Sequence, residues 1–246
     1  GRLSARFYSV NSLGAVCGPG LESLVASELR CLGLLDAGSV LRPPKPGSSS
    51  ATFPGPLANA YRANLHLRCA DRVLVKAAEF YASTFPEFCR GASRIPWEKF
   101  LNPGQPIAFK VDSVKSRLYH EAAVAQRLAE AVEGRLRSPC PVGKFKEEAA
   151  VRPPQLIVAR LENNLVSISV DSSGEPLHRR GYRLASAKAP IKETLASALV
   201  LASGWDLASP LIDPFCGSGT IVIEAALMAR KAAAGITRKF AFMDWP

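Results

Sequence analysis

Methionine and histidine are scarce in this chain, with 2 and 3 copies in 246 residues, and its six cysteines lie far apart. Cys17, Cys31, Cys69, Cys89, Cys140 and Cys216 form no C-x-x-C pair and have no histidine at zinc-ligand spacing. Neither a metal site nor a disulfide framework is expected. Scattered thiols of this kind read as small core residues in a reducing compartment. No apolar run approaches the ~18 residues of a membrane-spanning helix. The longest candidate, residues 194–205, is broken by Ser and Gly and then meets Asp206. No fixed-period repeat is present. Acids are also in short supply: 21 Asp and Glu face 31 Lys and Arg, a net charge of +10. The first acid is Glu22, after Arg2, Ser4, Arg6, Ser9 and Ser12. That opening fits either a terminus cut from a longer gene product or the stub of an organellar transit peptide, so the expected compartment is cytoplasmic or organellar.

What is present is a folding composition, 48% apolar and 21% charged, long enough for one large domain or two smaller ones. The basic excess speaks about partners, since Lys and Arg attract polyanions. Nucleic acid is the first candidate, against the alternative of ordinary solvated cations.

Periodicity gives a helix over residues 20–33, where Leu21, Leu24, Val25, Leu29 and Leu32 share a face. A Pro- and Ser-rich loop over 42–56 flanks a short strand around Thr52 and Phe53. Residues 57–67 follow, and then Val73, Leu74, Ala77, Ala78 and Tyr81 predict a helix over 71–81, leading into a loop that ends near Pro96 and Trp97. Ile107, Phe109 and Val111 alternate as a strand, and a long helix spans 119–137 with Val124, Leu128, Ala131, Val132 and Leu136 on its apolar face. His120 is expected as a surface or cap residue. After a loop over 138–154, strands at 155–161 and 165–170 are joined by Glu162, Asn163 and Asn164, a hairpin composition. A basic connector, a helix over 191–203, a short strand at 211–213, a Gly-bearing turn and a helix over 220–234 then read as the start of a doubly wound sheet.

The segment 211–230, LIDPFCGSGTIVIEAALMAR, carries the chemistry. An apolar strand ends in Asp213, Gly217 and Gly219 let the backbone turn tightly, and a helix begins at Thr220. The positive helix end attracts a carboxylate or phosphate, and the Asp213 carboxylate accepts from an ammonium or hydroxyl. A zwitterionic amino-acid moiety meets both demands, which favours S-adenosylmethionine over a dinucleotide. The spacing also departs from G-x-G-x-x-G, with Phe215 where many methyltransferase loops have their first glycine. The alternative is a tight strand-to-helix turn that binds nothing.

DPFCGSGTIVIEAALMA resembles the first cofactor motif of the THUMP-domain RNA guanine methyltransferases, a family that includes a bacterial enzyme acting on large-subunit ribosomal RNA. DSSGEPLHRRGYR (171–183) and APIKETLASALVLASGW (189–205) resemble the segments before that motif, in the same order, and GPGLESLVASEL resembles the family's opening helix. The resemblance covers essentially the whole chain, most strongly from Asp171 onward. It implies an α/β and α+β chain: a ferredoxin-like domain over 1–65, a THUMP RNA-binding module over 66–170, and over 171–246 the beginning of a Rossmann-like methyltransferase domain. It further implies S-adenosylmethionine as cofactor, held by Asp213, Pro214, Phe215, Cys216, Gly217, Ser218, Gly219 and Thr220. RNA is the implied partner, ribosomal RNA first and transfer RNA as its rival. In the connector, Arg179, Arg180, Tyr182, Arg183 and Lys188 are the candidate RNA contacts, because Arg forks onto phosphate and Tyr offers a stacking face. The alternative is a solvated loop whose arginines pair with carboxylates.

One element of the family's chemistry is missing. Orienting a guanine amino group uses an N-P-P-Y or D-P-P-F segment in this family, and the Pro-Pro pairs here, Pro43-Pro44 and Pro153-Pro154, follow Arg42 and Arg152 instead. Asp244 stands near the spacing of a ribose-binding acid, but in a context unlike a strand end. The expectation is therefore the N-terminal part of an enzyme that makes N2-methylguanosine, with its RNA-binding half intact and no catalytic residue in this chain. The rival classes are a non-catalytic RNA-binding protein with a relic loop and a nicotinamide-dependent Rossmann enzyme.

Overall fold

The computed structural model describes residues 6–7, 12–36, 50–143, 154–183 and 190–246. Much of the expected loops 42–56 and 138–154 lies outside them. In chain order the elements are β1 (Arg6–Phe7), β2 (Leu13–Cys17), α1 (Glu22–Cys31), β3 (Ser50–Phe53), α2 (Leu57–His66), β4 (Ala70–Tyr81), α3 (Phe85–Ala92), β5 (Ile107–Val114), α4 (Glu121–Leu136), β6 (Gln155–Glu162), β7 (Leu165–Asp171), α5 (Glu193–Ala202) and α6 (Thr220–Ala229), with 3-10 turns at Trp97–Lys99 and Ala241–Asp244. The chain is α/β. No helix among the described residues is long and apolar enough to cross a membrane.

The chain divides into two units, the first comprising Gly1–Ser12, Leu74–Gly174 and Phe240–Pro246. Its strands run in the order β4-β7-β6-β5, with the two-residue β1 paired antiparallel to β4. β5 and β6 are parallel from Ile107↔Gln155 to Val114↔Glu162, as a crossover through α4 requires, while β6–β7 and β4–β7 are antiparallel. The β6–β7 hairpin turns at Asn163 and Asn164, both with positive φ (51° and 64°), the conformation that makes asparagine a preferred hairpin residue. Beyond β7, the buried Asp171 carboxylate accepts the Ser173 and Gly174 amides and folds the chain back on itself.

β4 corrects the helix expected over 71–81. Val73, Val75 and Ala77 are buried with Leu74 and Lys76 between them, the period of a strand. The register then shifts between Lys76 and Ala78, so Ala78 and Phe80 become the buried set. That bulge puts two buried alanines side by side and produces the three- and four-residue spacing that imitates a helix. α3 was expected as loop. Its capping box Thr84-x-x-Glu87 is legible, and the Glu87 carboxylate accepts the Ser83 and Thr84 amides at 2.8 and 3.2 Å.

Trp97, Phe100 and Leu101 are buried beside these helices, each large side chain contributing ~1.5–3 kcal/mol. Trp245 meets Phe100 edge-on, with ring centroids 5.2 Å apart, and donates its indole N–H to Gln155 Oε1 at 2.9 Å. Asp244 lies in the last 3-10 turn, where its carbonyl accepts the Asn102 side chain.

The second unit comprises Leu13–Val73 and Glu175–Lys239. β2 and β3 pair antiparallel, Leu13↔Phe53 to Val16↔Ser50, and α1 lies on them through Val25, Ala26 and Leu29. α5 packs on α6. The strand expected at 211–213 is not formed: the segment has no ladder partner among the described residues, Ile212 is exposed, and α6 stops at Ala229 rather than 234.

Gly91 of α3 faces Phe80, and a Cβ there would run into the phenyl ring. Gly91→Ala is expected to lower stability by about 1–3 kcal/mol through overpacking, and Phe80→Leu in the same chain to recover part of that loss. Urea unfolding midpoints of the two single variants and the double variant measure it.

Candidate functional site

The loop that enters α6 is built from local hydrogen bonds. Asp206 Oδ1 accepts the Ala208 and Ser209 amides and the Ser209 hydroxyl, at 2.8–2.9 Å, and those donors hold its carboxyl below the usual range. Asp213 Oδ1 then accepts the Phe215 amide at 3.1 Å, and the Gly219 amide bonds the Cys216 carbonyl at 2.7 Å. Gly217 and Gly219 have φ of +53° and +74°, which a side chain would strain. Nothing but the Phe215 carbonyl, at 3.9 Å, lies within 4 Å of a Cβ placed on Gly217, so the space over this backbone is open. Phe215 and Cys216 are exposed.

Two features of this loop fit an amino-acid ligand. Asp213 Oδ2 is buried with no hydrogen-bond partner among the described residues, and an acceptor left so costs about 1–3 kcal/mol until something donates to it. α6 opens at Gly219 with no side-chain cap, so its first amides and dipole face the same loop. An ammonium or hydroxyl on Asp213 and a carboxylate at the helix end would satisfy both.

Behind the loop is a charge cluster that sequence reasoning missed. Glu224, one turn into α6 from Thr220, is fully buried. Its carboxylate accepts the Ser197 hydroxyl at 2.6 Å and the Tyr182 hydroxyl at 3.0 Å, and faces Arg180 Nε at 3.5 Å and Arg68 Nη1 at 3.8 Å. Arg180 also donates to the carbonyls of Leu177 and Arg68, and Arg68 to that of Ala232. Burial pulls the Arg68 guanidinium below its ordinary value against the opposing pull of Glu224, and burial plus the Glu224 charge pushes the Tyr182 phenol up. The available signal was a lone acid in the otherwise apolar helix TIVIEAALMA.

The connector residues expected to meet RNA are thus divided. Arg180 is 2% exposed and spent on Glu224 and two carbonyls, and Tyr182 is bonded to Glu224. Arg183 pairs with Glu193 at 2.9 Å and donates to Thr220 Oγ1 at 3.2 Å, tying the connector to both α5 and α6. For these three the geometry follows the carboxylate-pairing alternative. Arg179 is half-buried beside Glu175, at 3.5 Å, and Lys188 lies outside the described residues. Arg238 fixes the same connector by donating to the carbonyls of Glu175, Pro176 and Arg179, and the Thr237 hydroxyl donates to that of Arg180.

Asp71 anchors the connector's start. Its backbone carbonyl accepts the Leu177 amide, and its carboxylate accepts the Thr194 hydroxyl at 3.1 Å and faces His178 Nδ1 at 3.8 Å. Burial pushes the Asp71 carboxyl up, but His178 and the Thr194 bond outweigh it and hold the group below the usual carboxylate range. No group of His, Cys, Asp and Glu able to hold a metal ion occurs among the described residues.

Comparison with known proteins finds two domain matches. Residues 12–74 match the RlmL ferredoxin-like domain, and residues 180–244 match the RMKL-like methyltransferase domain. The ribosomal RNA large subunit methyltransferase K/L of Syntrophotalea carbinolica is 36% identical over 234 residues, 92% of this chain and 31% of that protein. Among solved structures, a protein of Listeria monocytogenes assigned as an N6-adenine-specific DNA methylase aligns over 99% of this chain and 60% of its own, with a TM-score of 0.78 and 35% identity. SMU.472, assigned as a methyltransferase and solved with SAH, aligns over 96% and 60%, with a TM-score of 0.77 and 33% identity. The chain therefore spans between about three tenths and three fifths of the length of these relatives. Their names agree on methyl transfer and differ on the substrate.

Glu224→Gln leaves two guanidiniums without their counter-charge and is expected to cost about 3–5 kcal/mol, whereas Tyr182→Phe removes one hydrogen bond and costs about 0.5–1.5 kcal/mol. Denaturant unfolding ranks them. Because the Asp71 carboxyl is depressed in the folded state, its contribution is full above the unfolded value near pH ~4 and is lost as pH falls through the folded value. The difference in melting temperature between the native chain and Asp71→Asn should be constant near neutrality and shrink below about pH 4.

Proposed function

We propose that this chain, whose residues 12–74 and 180–244 belong to the RlmL ferredoxin-like and RMKL-like methyltransferase domain families, serves the S-adenosylmethionine-dependent methylation of RNA. The acceptor we assign is the exocyclic amino group of a guanine in RNA, and large-subunit ribosomal RNA as its source is in line with the name of the K/L relative. The observation that carries the reading is the buried, unpartnered Asp213 Oδ2 beside the uncapped start of α6. Asp213 would hold the ammonium or a hydroxyl of the cofactor, and the backbone from Gly217 to Thr220 its carboxylate. S-adenosylmethionine supplies a methyl group activated on a sulfonium.

The chain's own contribution is positioning. Arg183, bonded to Thr220, fixes the first residue of α6, and Glu224 fixes the connector through Arg180 and Tyr182. Arg179 and Lys188 are the connector side chains we assign to RNA phosphates, and residues 66–170 the RNA-binding module. No Asn/Asp-Pro-Pro-aromatic segment stands within the 246 residues to orient the amino group, so we expect cofactor and RNA binding without methyl transfer by this chain alone.

Titration calorimetry of the chain with S-adenosylmethionine tests the cofactor site. Binding is expected, weakened by about 10-fold or more in Asp213→Asn and abolished in Gly217→Val, where the added side chain meets both the required φ and the ligand's space. A native chain that binds no S-adenosylmethionine, or a Gly217→Val chain that binds it unchanged, overturns the assignment.

A further inference from the structure

The segment between β5 and α4, Lys115-Ser116-Arg117-Leu118-Tyr119-His120, has no part in the cofactor loop or the connector. Tyr119 is 66% exposed, and its ring lies against that of His120, with centroids 4.2 Å apart and planes at 40°. His120, Lys115 and Arg117 are exposed as well, and no ion pair among the described residues engages either cation. The acids nearest in sequence are Asp112 within β5 and Glu121, the first residue of α4. Two adjoining rings left in water, preceded in the chain by two exposed cations with no ion pair among the described residues, have no account in the packing of this unit.

The backbone under these side chains is fixed. The Arg117 amide donates to Asn164 Oδ1 at 2.8 Å, and the Asn164 amide donates back to the Ser116 hydroxyl at 3.0 Å. The Asn163 amide bonds the Val114 carbonyl at 3.2 Å, and the Ser113 hydroxyl bonds that of Leu118, whose side chain is buried. The hairpin turn of β6–β7 thus clasps the segment, and the left-handed residues Lys115, Asn163 and Asn164 meet at one end of the sheet. A surface held this way loses little entropy when a ligand settles on it.

Exposed rings accept the flat face of a base, and cations in the same segment accept the phosphates that flank it. A base inside a duplex has no free face, and duplex RNA is met through its phosphates and 2′-hydroxyls instead. We propose that Tyr119 and His120, with Lys115 and Arg117, form a binding site for an unpaired nucleotide of single-stranded RNA. The proposal rests on the reading of RNA as the substrate and adds which feature of the RNA this unit grips.

Fluorescence anisotropy with a labelled single-stranded RNA of about 12 nucleotides, against the same sequence as a duplex, tests it. The chain is expected to prefer the single strand. Tyr119→Ala should weaken that binding about 10-fold with its salt dependence kept, and Tyr119→Phe should restore it, since the ring and not the hydroxyl stacks. Lys115→Gln with Arg117→Gln should flatten the salt dependence by about two phosphate contacts. Unchanged circular-dichroism melting shows that each variant is folded, and ultraviolet crosslinking of 4-thiouridine RNA to the Tyr119 peptide reads the same contact in the native chain. Equal affinity of Tyr119→Ala and the native chain, or a preference for duplex, overturns the site while leaving RNA as the substrate. A native chain that binds neither RNA overturns the site and the RNA reading together, and cofactor calorimetry is independent of both.

Discussion

Glu224 sits where an apolar helix would ordinarily place a leucine, and a carboxylate taken out of water there is tolerable only if charge and hydrogen bonds are returned to it. The returns come from distant parts of the sequence: Arg68 from the chain before β4, Arg180 and Tyr182 from the connector, Ser197 from α5. Each donor must be held in place in turn. Arg180 is aligned by the carbonyls of Leu177 and Arg68, and the Arg68 and Cys69 amides close on Glu28 of α1. Burial pushes the Glu28 carboxyl up while those amides pull the other way. One buried acid thereby dictates the course of three separate segments, a specificity that an aliphatic side chain could not impose.

The consequence reaches the loop that enters α6. Thr220 and Glu224 are a helical turn apart, so fixing Glu224 fixes the start of α6 and the direction of its first amides. Arg183 adds a second tie, bridging Glu193 at the start of α5 and Thr220 at the start of α6. Preorganised amides at a helix end cost little reorientation when an anion arrives. The loop itself is left open, with Phe215 93% exposed. The rigid support lies behind the loop and the open surface in front of it.

Much of this was legible in the sequence where one physical signal acts alone. The helix at 22–31, the 155–171 hairpin and the Gly-bearing turn before α6 follow from apolar period, turn chemistry and backbone freedom. β4 was not legible, because a bulge at Ala77 merges two strand periods into something that scans as a helix. α3 was passed over because its Phe-Pro start and internal glycine hid a capping box that was there to be read. The strand at 211–213 failed for another reason: a short apolar stretch such as Leu211-Ile212 specifies a strand only when a neighbour supplies the ladder. The loop residues could be placed from sequence, yet Glu224 and Arg68 could not be paired, since nothing local in a chain reports which distant charge meets a buried one.

The basic excess shows the same limit in numbers that a composition cannot divide. Arg68, Arg180 and Arg183 count toward the net charge of +10, but their guanidiniums answer Glu224 and Glu193, while Arg238 is spent on backbone carbonyls. Arginine suits that duty better than lysine because its planar fork satisfies a carboxylate and a carbonyl at once. The HRRGYR run therefore overstates the surface charge of the connector. KSRLYH, with fewer cations in its run, keeps both of them in water beside two rings. What distinguishes a polyanion-binding segment from a structural one is not its count of positive charges but whether a carboxylate elsewhere in the fold has already claimed them.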